Sequence, residues 1–274
     1  MLVLEPVIHE TVWGNDILSE EYNSACKHIG HLYSCDPQKN GSIITNGAYK
    51  GKSLYEYLTE NGYLHCLQFV IAIVTPGKDL SIQVHPSAGN HKKNESWYFL
   101  KKPDSGCIYD GCLSNSKIEI RNAMVAGRPF DVVDTLCIDD GDYVYVEAGT
   151  IHAMTAGSVV YEIEELNGTT YRFYDYERLD KNGKKRELQL DLGLETLKTE
   201  LKAQKMSDFC CVDEKKYSLR LISGGVHYNQ TQKLECITLI QGNDSSCGMK
   251  IGMSIILEPG EEVNLGNGIF MVAY

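Results

Sequence analysis

The chain is patterned for strands more than for helices. From position 64 onward, short runs rich in β-branched and aromatic residues recur at 66–75, 80–85, 96–100, 117–120, 143–146, 159–163 and 170–174. Turn residues punctuate them at Pro76-Gly77, Pro103-Asp104, Asp140-Gly141, Ala156-Gly157 and Asn167-Gly168. Ahead of these runs, residues 15–27 and 52–61 carry helical periodicity; in the second, Leu54, Tyr57 and Leu58 stand at i, i+3 and i+4. Residues 190–205 predict one longer helix with Leu194, Leu197 and Leu201 on one face. Beyond it, 217–274 is again strand-rich, with turns expected at Gly224-Gly225, 242–244, Pro259-Gly260 and 266–268. Many short strands with short connections predict a mainly β fold, a jelly roll or small barrel with a few flanking helices. The helix at 190–205 reads as a divider. Residues 1–206 form the domain that carries the candidate chemistry, and 207–274 a smaller β-sandwich with a single histidine, His227, and no paired ligands.

Composition narrows the class. The 274 residues, 43% hydrophobic and 23% charged, are those of an ordinary globular protein of one large domain, or a large one and a small one. A net charge of −11 argues against general affinity for nucleic acid or an anionic membrane. It also means that an anionic ligand must be held by local cations. The first residues lack a basic stretch and a long apolar one, so no signal peptide is expected, and no apolar run approaches the ~20 residues of a membrane span. Ten cysteines are scattered without a Cys-x-x-Cys pair, which reads as reduced thiols in a cytoplasm.

The chemistry concentrates in two segments. Gln83, His85 and Glu95 come from the first and His152 from the second: one neutral oxygen donor, two imidazoles and one carboxylate. Strand periodicity turns Gln83 and His85 to one face with Val84 behind them, so facing strands can bring the four onto one divalent ion. The donor set suits zinc or a neighbouring first-row metal and leaves a position open for water or substrate. His91, in the short loop between, reads as solvated. The dense basic clusters nearby are Lys92-Lys93 and the run Lys181, Lys184, Lys185, Arg186, the latter equally readable as a solvated turn. Trp97, Tyr98 and the aromatics of 171–176 read as core.

These segments resemble the two motifs of the cupin superfamily. The first is Gly, five residues, His-x-His, then Glu, with Gln83 in place of the first His; the second is Gly, five residues, Pro-x-Gly-x-x-His, with Glu147 in place of the Pro. More narrowly, Leu-Ser-Ile-Gln-Val-His-Pro at 80–86 and Lys-Asn-Glu-Ser-Trp-Tyr at 93–98 are similar to the metal motif of type I mannose-6-phosphate isomerases, in their short bacterial form. So are Ala-Gly-Thr-Ile-His-Ala at 148–153, Tyr-Glu-Ile at 161–163, Thr-Thr-Tyr-Arg-Phe-Tyr-Asp-Tyr at 169–176 and Trp13-Gly14. The similarity is strong over 80–186, recognisable before 80 and only architectural after 219.

The resemblance implies a double-stranded β-helix of cupin type with a smaller, metal-free cupin-like domain after it. It implies a zinc-dependent isomerase interconverting mannose 6-phosphate and fructose 6-phosphate, with one zinc per chain on Gln83, His85, Glu95 and His152. Arg172 falls at the family's catalytic arginine and Glu162 at an acidic position ten residues before it. Lys93, at the family's Lys-x-Glu spacing from Glu95, is the residue expected to bind the substrate's phosphate. Three departures stand out: only ten residues separate His85 from Glu95, Ala72 stands where the family carries a lysine, and 30–34 replaces its Gly-Glu…Trp-Glu segment. The rival readings are a non-catalytic cupin that binds a sugar or sugar phosphate, and another metal-dependent cupin enzyme such as an oxygenase, which Gln83 disfavours.

Overall fold

The structure is a computed structural model that describes residues 1–274 apart from 167, 245 and 247. The turn expected at Asn167-Gly168 therefore falls partly outside the described residues. The fold is mainly β: among the described residues, three antiparallel sheets and four short α-helices.

The first sheet has seven strands in the order Gln204–Met206, Tyr143–Val146, Glu95–Lys101, Val159–Glu165, Phe69–Val74, Ile29–Cys35 and Val7–Asn15. A five-stranded sheet faces it, in the order Tyr171–Tyr174, Ile82–Val84, His152–Ala153, Cys107–Cys112 and Val133–Cys137. One apolar cluster joins the two, with Ala72, Val74, Trp97, Phe99 and Val160 from the first and Ile82, Val84, Ile108 and Ala153 from the second. This pair of sheets is the expected jelly roll. Period-two alternation gives the first sheet a second buried face, where Phe69, Ile71, Ile73, Tyr161 and Ile163 meet Leu219, Cys236, Ile256 and Met271 of the third sheet. At that junction Ser96 lies between the Tyr143 and Tyr217 hydroxyls, 2.7 Å from each.

The third sheet orders Cys211–Asp213, Ser218–Tyr228, Glu262–Ala273, Glu235–Gly242, Ser254–Leu257, Leu2–Glu5 and Ile43–Ile44. Its first five strands come from beyond residue 207, and the chain's own beginning supplies Leu2–Glu5, paired in register with Ser254–Leu257. We keep the boundary at 206/207 as a proposal, with the N-terminal strand as a tie across it.

Several expectations need correction. Residues 117–120, read as a strand from their alternation, start the helix Lys117–Val125. The Ser116 side chain caps it by accepting from the Glu119 N–H, and Ile120, Ala123 and Met124 bury one face while Ile118 stays 74% exposed. The helix expected over 15–27 shrinks to Ile17–Glu21, because Thr11 N–H donates to the His28 carbonyl and the Asp16 carboxylate takes the His28 N–H, tying the rest back onto the strand Val7–Asn15. The long helix at 190–205 is only Leu190–Thr196. Past it the chain bonds elsewhere: Lys198 N–H to the Gly149 carbonyl and Ala203 N–H to the Asp110 carboxylate. Finally, Gly224-Gly225 and 266–268 are not turns. They lie inside the paired strands Ser218–Tyr228 and Glu262–Ala273 at a register shift, where a Cβ on Gly224 would sit 1.7 Å from the Gly266 carbonyl oxygen. The strands of the first forty residues escaped the sequence reading. Among the described residues no helix is long and apolar enough to cross a membrane, and the nine described cysteines are free thiols.

Candidate metal centre and cleft

The two motifs meet through their backbones before their side chains do. The Gly149 N–H donates 3.0 Å to the His85 carbonyl, and Gly149 holds φ at +101°, a value that penalises any Cβ. Gln83 stands in register opposite His152 on one side and Arg172 on the other, so one row of the five-stranded sheet carries all three. On the facing sheet Glu95 pairs with Glu164, and Trp97 with Glu162.

His85, Glu95 and His152 converge from these two walls. His85 Nε2 lies 3.0 Å from Glu95 Oε2, and His152 Nε2 lies 3.2 Å from Glu95 Oε1, all three side chains being 1% exposed. Each imidazole spends its Nδ1 on a backbone carbonyl, His85 on Thr169 and His152 on Thr150, both at 2.9 Å. That fixes the tautomer and turns the Nε2 lone pair inward, the usual outer support of a metal-bound histidine. His85 Nε2 and both Glu95 oxygens are otherwise enclosed without a hydrogen-bond partner. Three donor atoms so placed fit a divalent ion. Burial, then the neighbouring Lys93, pushes the His85 pKa down to about 4, so the imidazole is neutral and free to ligate near pH 7. Gln83 is adjacent, its amide nitrogen 3.4 Å from His152 Nε2 and its oxygen accepting from Ser81. To offer its oxygen to an ion held there, the Gln83 amide would have to turn over.

The other expected residues line a cleft of about 890 Å³ that opens above Glu95. Glu162 accepts a 3.0 Å hydrogen bond from Trp97 Nε1. Burial first, then Glu95 and Glu164, raises its pKa well above the usual carboxylate range. Lys93 is buried against two carboxylates, 3.1 Å from Glu95 and in closer contact with Glu164. Burial opposes its charge, but Glu164 and Glu95 outweigh that and raise its pKa. Arg172 reaches the cleft from the strand Tyr171–Tyr174 with its Nε enclosed and unpartnered. From the basic run, Lys181 and Arg186 line the cleft, and Arg186 clasps the Asp175 carboxylate. His91 is exposed on the turn Gly89–His91.

Sequence reasoning missed the cleft's third wall. His31, partly buried, stacks on His9 and Tyr33 with ring centroids 5.9 and 5.3 Å away, and meets the Trp13 ring edge-on at 5.0 Å. Burial, then His9 and Lys93, pushes its pKa down to about 3. The alternation of polar and apolar residues over 29–35 was the available signal.

No protein-family model matches the sequence. The mannose-6-phosphate isomerase of Streptococcus mutans is 31% identical over 212 residues, covering 72% of this chain and 67% of that protein. The crystal structure of the mannose 6-phosphate isomerase from Bacillus subtilis, 23% identical, matches 100% of this chain and 99% of its own with a TM-score of 0.80. A zinc-bound mannose 6-phosphate isomerase, 12% identical, matches 100% of this chain and 98% of its own with a TM-score of 0.70. The two structural likenesses speak for the fold. With the sequence relationship running through both metal-site segments, this chain belongs to the mannose-6-phosphate isomerase family.

Proposed function

We propose that the protein is an aldose–ketose isomerase that interconverts mannose 6-phosphate and fructose 6-phosphate, with zinc as its metal. The observation that carries this reading is the convergence of the buried donor atoms of His85, Glu95 and His152 beneath a cleft that also holds an acid and a guanidinium. Gln83 is the fourth ligand in this reading. Held by these residues, zinc would supply Lewis-acid chemistry to the sugar's carbonyl. Glu162 takes and returns the proton that moves between C1 and C2. Burial, with Glu95 and Glu164 nearby, raises its pKa above the usual carboxylate range, which makes its carboxylate a stronger base for that proton. Arg172 stabilises negative charge growing on the oxygens while keeping its own proton. Lys93 lines the cleft and is the substrate-binding cation of this reading, its ammonium held between Glu95 and Glu164. Lys181 and Arg186, on the rim, offer further charge to a phosphate dianion in a protein of net charge −11.

The test is a coupled isomerase assay on metal-replete protein, with metal analysis beside it. Turnover of mannose 6-phosphate with about one zinc per chain is expected. Tight binding of mannose 6-phosphate without turnover would return the protein to a sugar-phosphate sensor. Ala72 is the observation on that side, since it places no charge between Tyr33 and Glu162 in the sheet. Iron in place of zinc would favour an oxygenase.

A further inference from the structure

Glu95 and Glu164 stand directly opposite each other on neighbouring strands, one a metal-site carboxylate and the other on the cleft wall. Like charges so paired repel and destabilise a sheet unless a cation lies between them. Lys93 is that cation. Its ammonium contacts both carboxylates, and its stem is nine-tenths buried. Gly168 makes room for the stem: a Cβ there would lie 2.1 Å from Lys93 Cδ and 2.6 Å from both Cβ and Cγ. Glu164 itself is 23% exposed and lines the cleft, with a carboxylate oxygen within 4.8 Å of oxygens of Glu95 and Glu162.

A cation this close to Glu95 acts on whatever else Glu95 binds. Left alone with Glu95, the Lys93 ammonium would compete with a dication for the same oxygen and repel it across a few ångströms of low-dielectric interior. Glu164 supplies the compensating charge. We propose that Glu164 is a positioning residue for the metal centre: it draws the Lys93 ammonium away from Glu95 and neutralises it, keeping the Glu95 carboxylate available to the ion. No local pattern in the sequence marks Glu164, because its partner Lys93 lies 71 residues away.

The proposal rests on the metal centre of the proposed function but not on the isomerase chemistry, so its test reads metal affinity. Zinc affinity is measured by chelator competition on the full-length protein for wild type, Glu164→Gln, Glu164→Asp, Lys93→Met, the double variant Lys93→Met/Glu164→Gln, and His85→Ala. Glu164→Gln keeps the size and loses the charge, and it should weaken zinc about tenfold, the scale on which outer partners tune a metal site. Glu164→Asp should stay nearer wild type. Lys93→Met should bind zinc at least as tightly as wild type. In the double variant the uncompensated cation is gone, and affinity should return to within about threefold of wild type. A role in folding alone would not be rescued by removing Lys93. Wild-type affinity in Glu164→Gln, or a double variant as weak as Glu164→Gln, overturns the proposal while His85→Ala still abolishes binding. A His85→Ala protein that keeps stoichiometric zinc overturns the metal centre itself, and this inference with it.

Discussion

Arg172 carries the most direct test of the chemistry. Its guanidinium is partly enclosed, with Nε unpartnered, and is needed where negative charge grows in the transition state. Arg172→Ala should therefore lower kcat on the order of a hundredfold or more, with a much smaller change in KM and unchanged metal content. Steady-state kinetics with metal analysis decide it, and near wild-type turnover would make Arg172 structural. His31 gives the pH dependence. Its pKa is pushed down to about 3 in the native protein, against 6.5 for a free imidazole. The unfolded chain thus binds a proton that the native state excludes. Stability from this group is full above pH 6.5 and is lost as the pH falls from there towards 3. His31→Phe keeps the ring stack without the titration. Between pH 7 and pH 5, wild type should lose on the order of 2 kcal/mol more than the variant in denaturant titrations. Parallel losses would assign the acid sensitivity to other groups. At this scale the three residues whose donor atoms converge, His85, Glu95 and His152, were legible because residue type and order carry them. Glu164 and His31 were not, because their meaning lies in Lys93 and in rings from a neighbouring strand.

Among the elements, the helix Leu54–Glu60 shows what local sequence can do by itself. Ser53 accepts from the Glu56 N–H and the Glu56 carboxylate accepts from the Ser53 N–H, a reciprocal capping box, while Leu54, Tyr57 and Leu58 are buried. Ser53→Ala should cost about 1 kcal/mol in chemical denaturation. A change below a few tenths would mean that packing of the three apolar residues holds the helix without its cap. The helices that failed did so for one reason. The apolar spacing over 190–205 is helical throughout, yet after Thr196 the backbone donors find partners on Gly149 and Asp110. A helix of this length has too little intrinsic stability to refuse such offers. At 117–120 a cap won over alternation instead, since Ser116 and the spacing of Ile120, Ala123 and Met124 favour a helix.

For the whole molecule, the chain's beginning is folded into its end. Leu4 is fully buried in the core cluster shared by the first and third sheets, on a strand paired with both 254–257 and 43–44. Leu4→Ala should cost about 2–5 kcal/mol, as for other buried leucines, and the protein should still unfold in one transition. Two separate transitions, with only the second moved by Leu4→Ala, would show that 207–274 folds as an independent domain. The N-terminal strand was invisible in the sequence, because four residues of mixed character carry no period long enough to read.

The sequence by itself determined the β-rich architecture, the placing of the turns at Pro103-Asp104, Asp140-Gly141 and Pro259-Gly260, and the identity of the residues offered to a metal. Those features depend on alternation, turn chemistry and donor type, which neighbours in the chain can express. Only the tertiary structure decided that Lys93 is shared between Glu95 and Glu164, that His31, His9 and Trp13 wall the cleft, and that Leu2–Glu5 completes the far sheet. Each of these is a pairing between strands distant in sequence. Its free energy comes from burial and charge compensation, neither of which exists until the sheets have closed on one another.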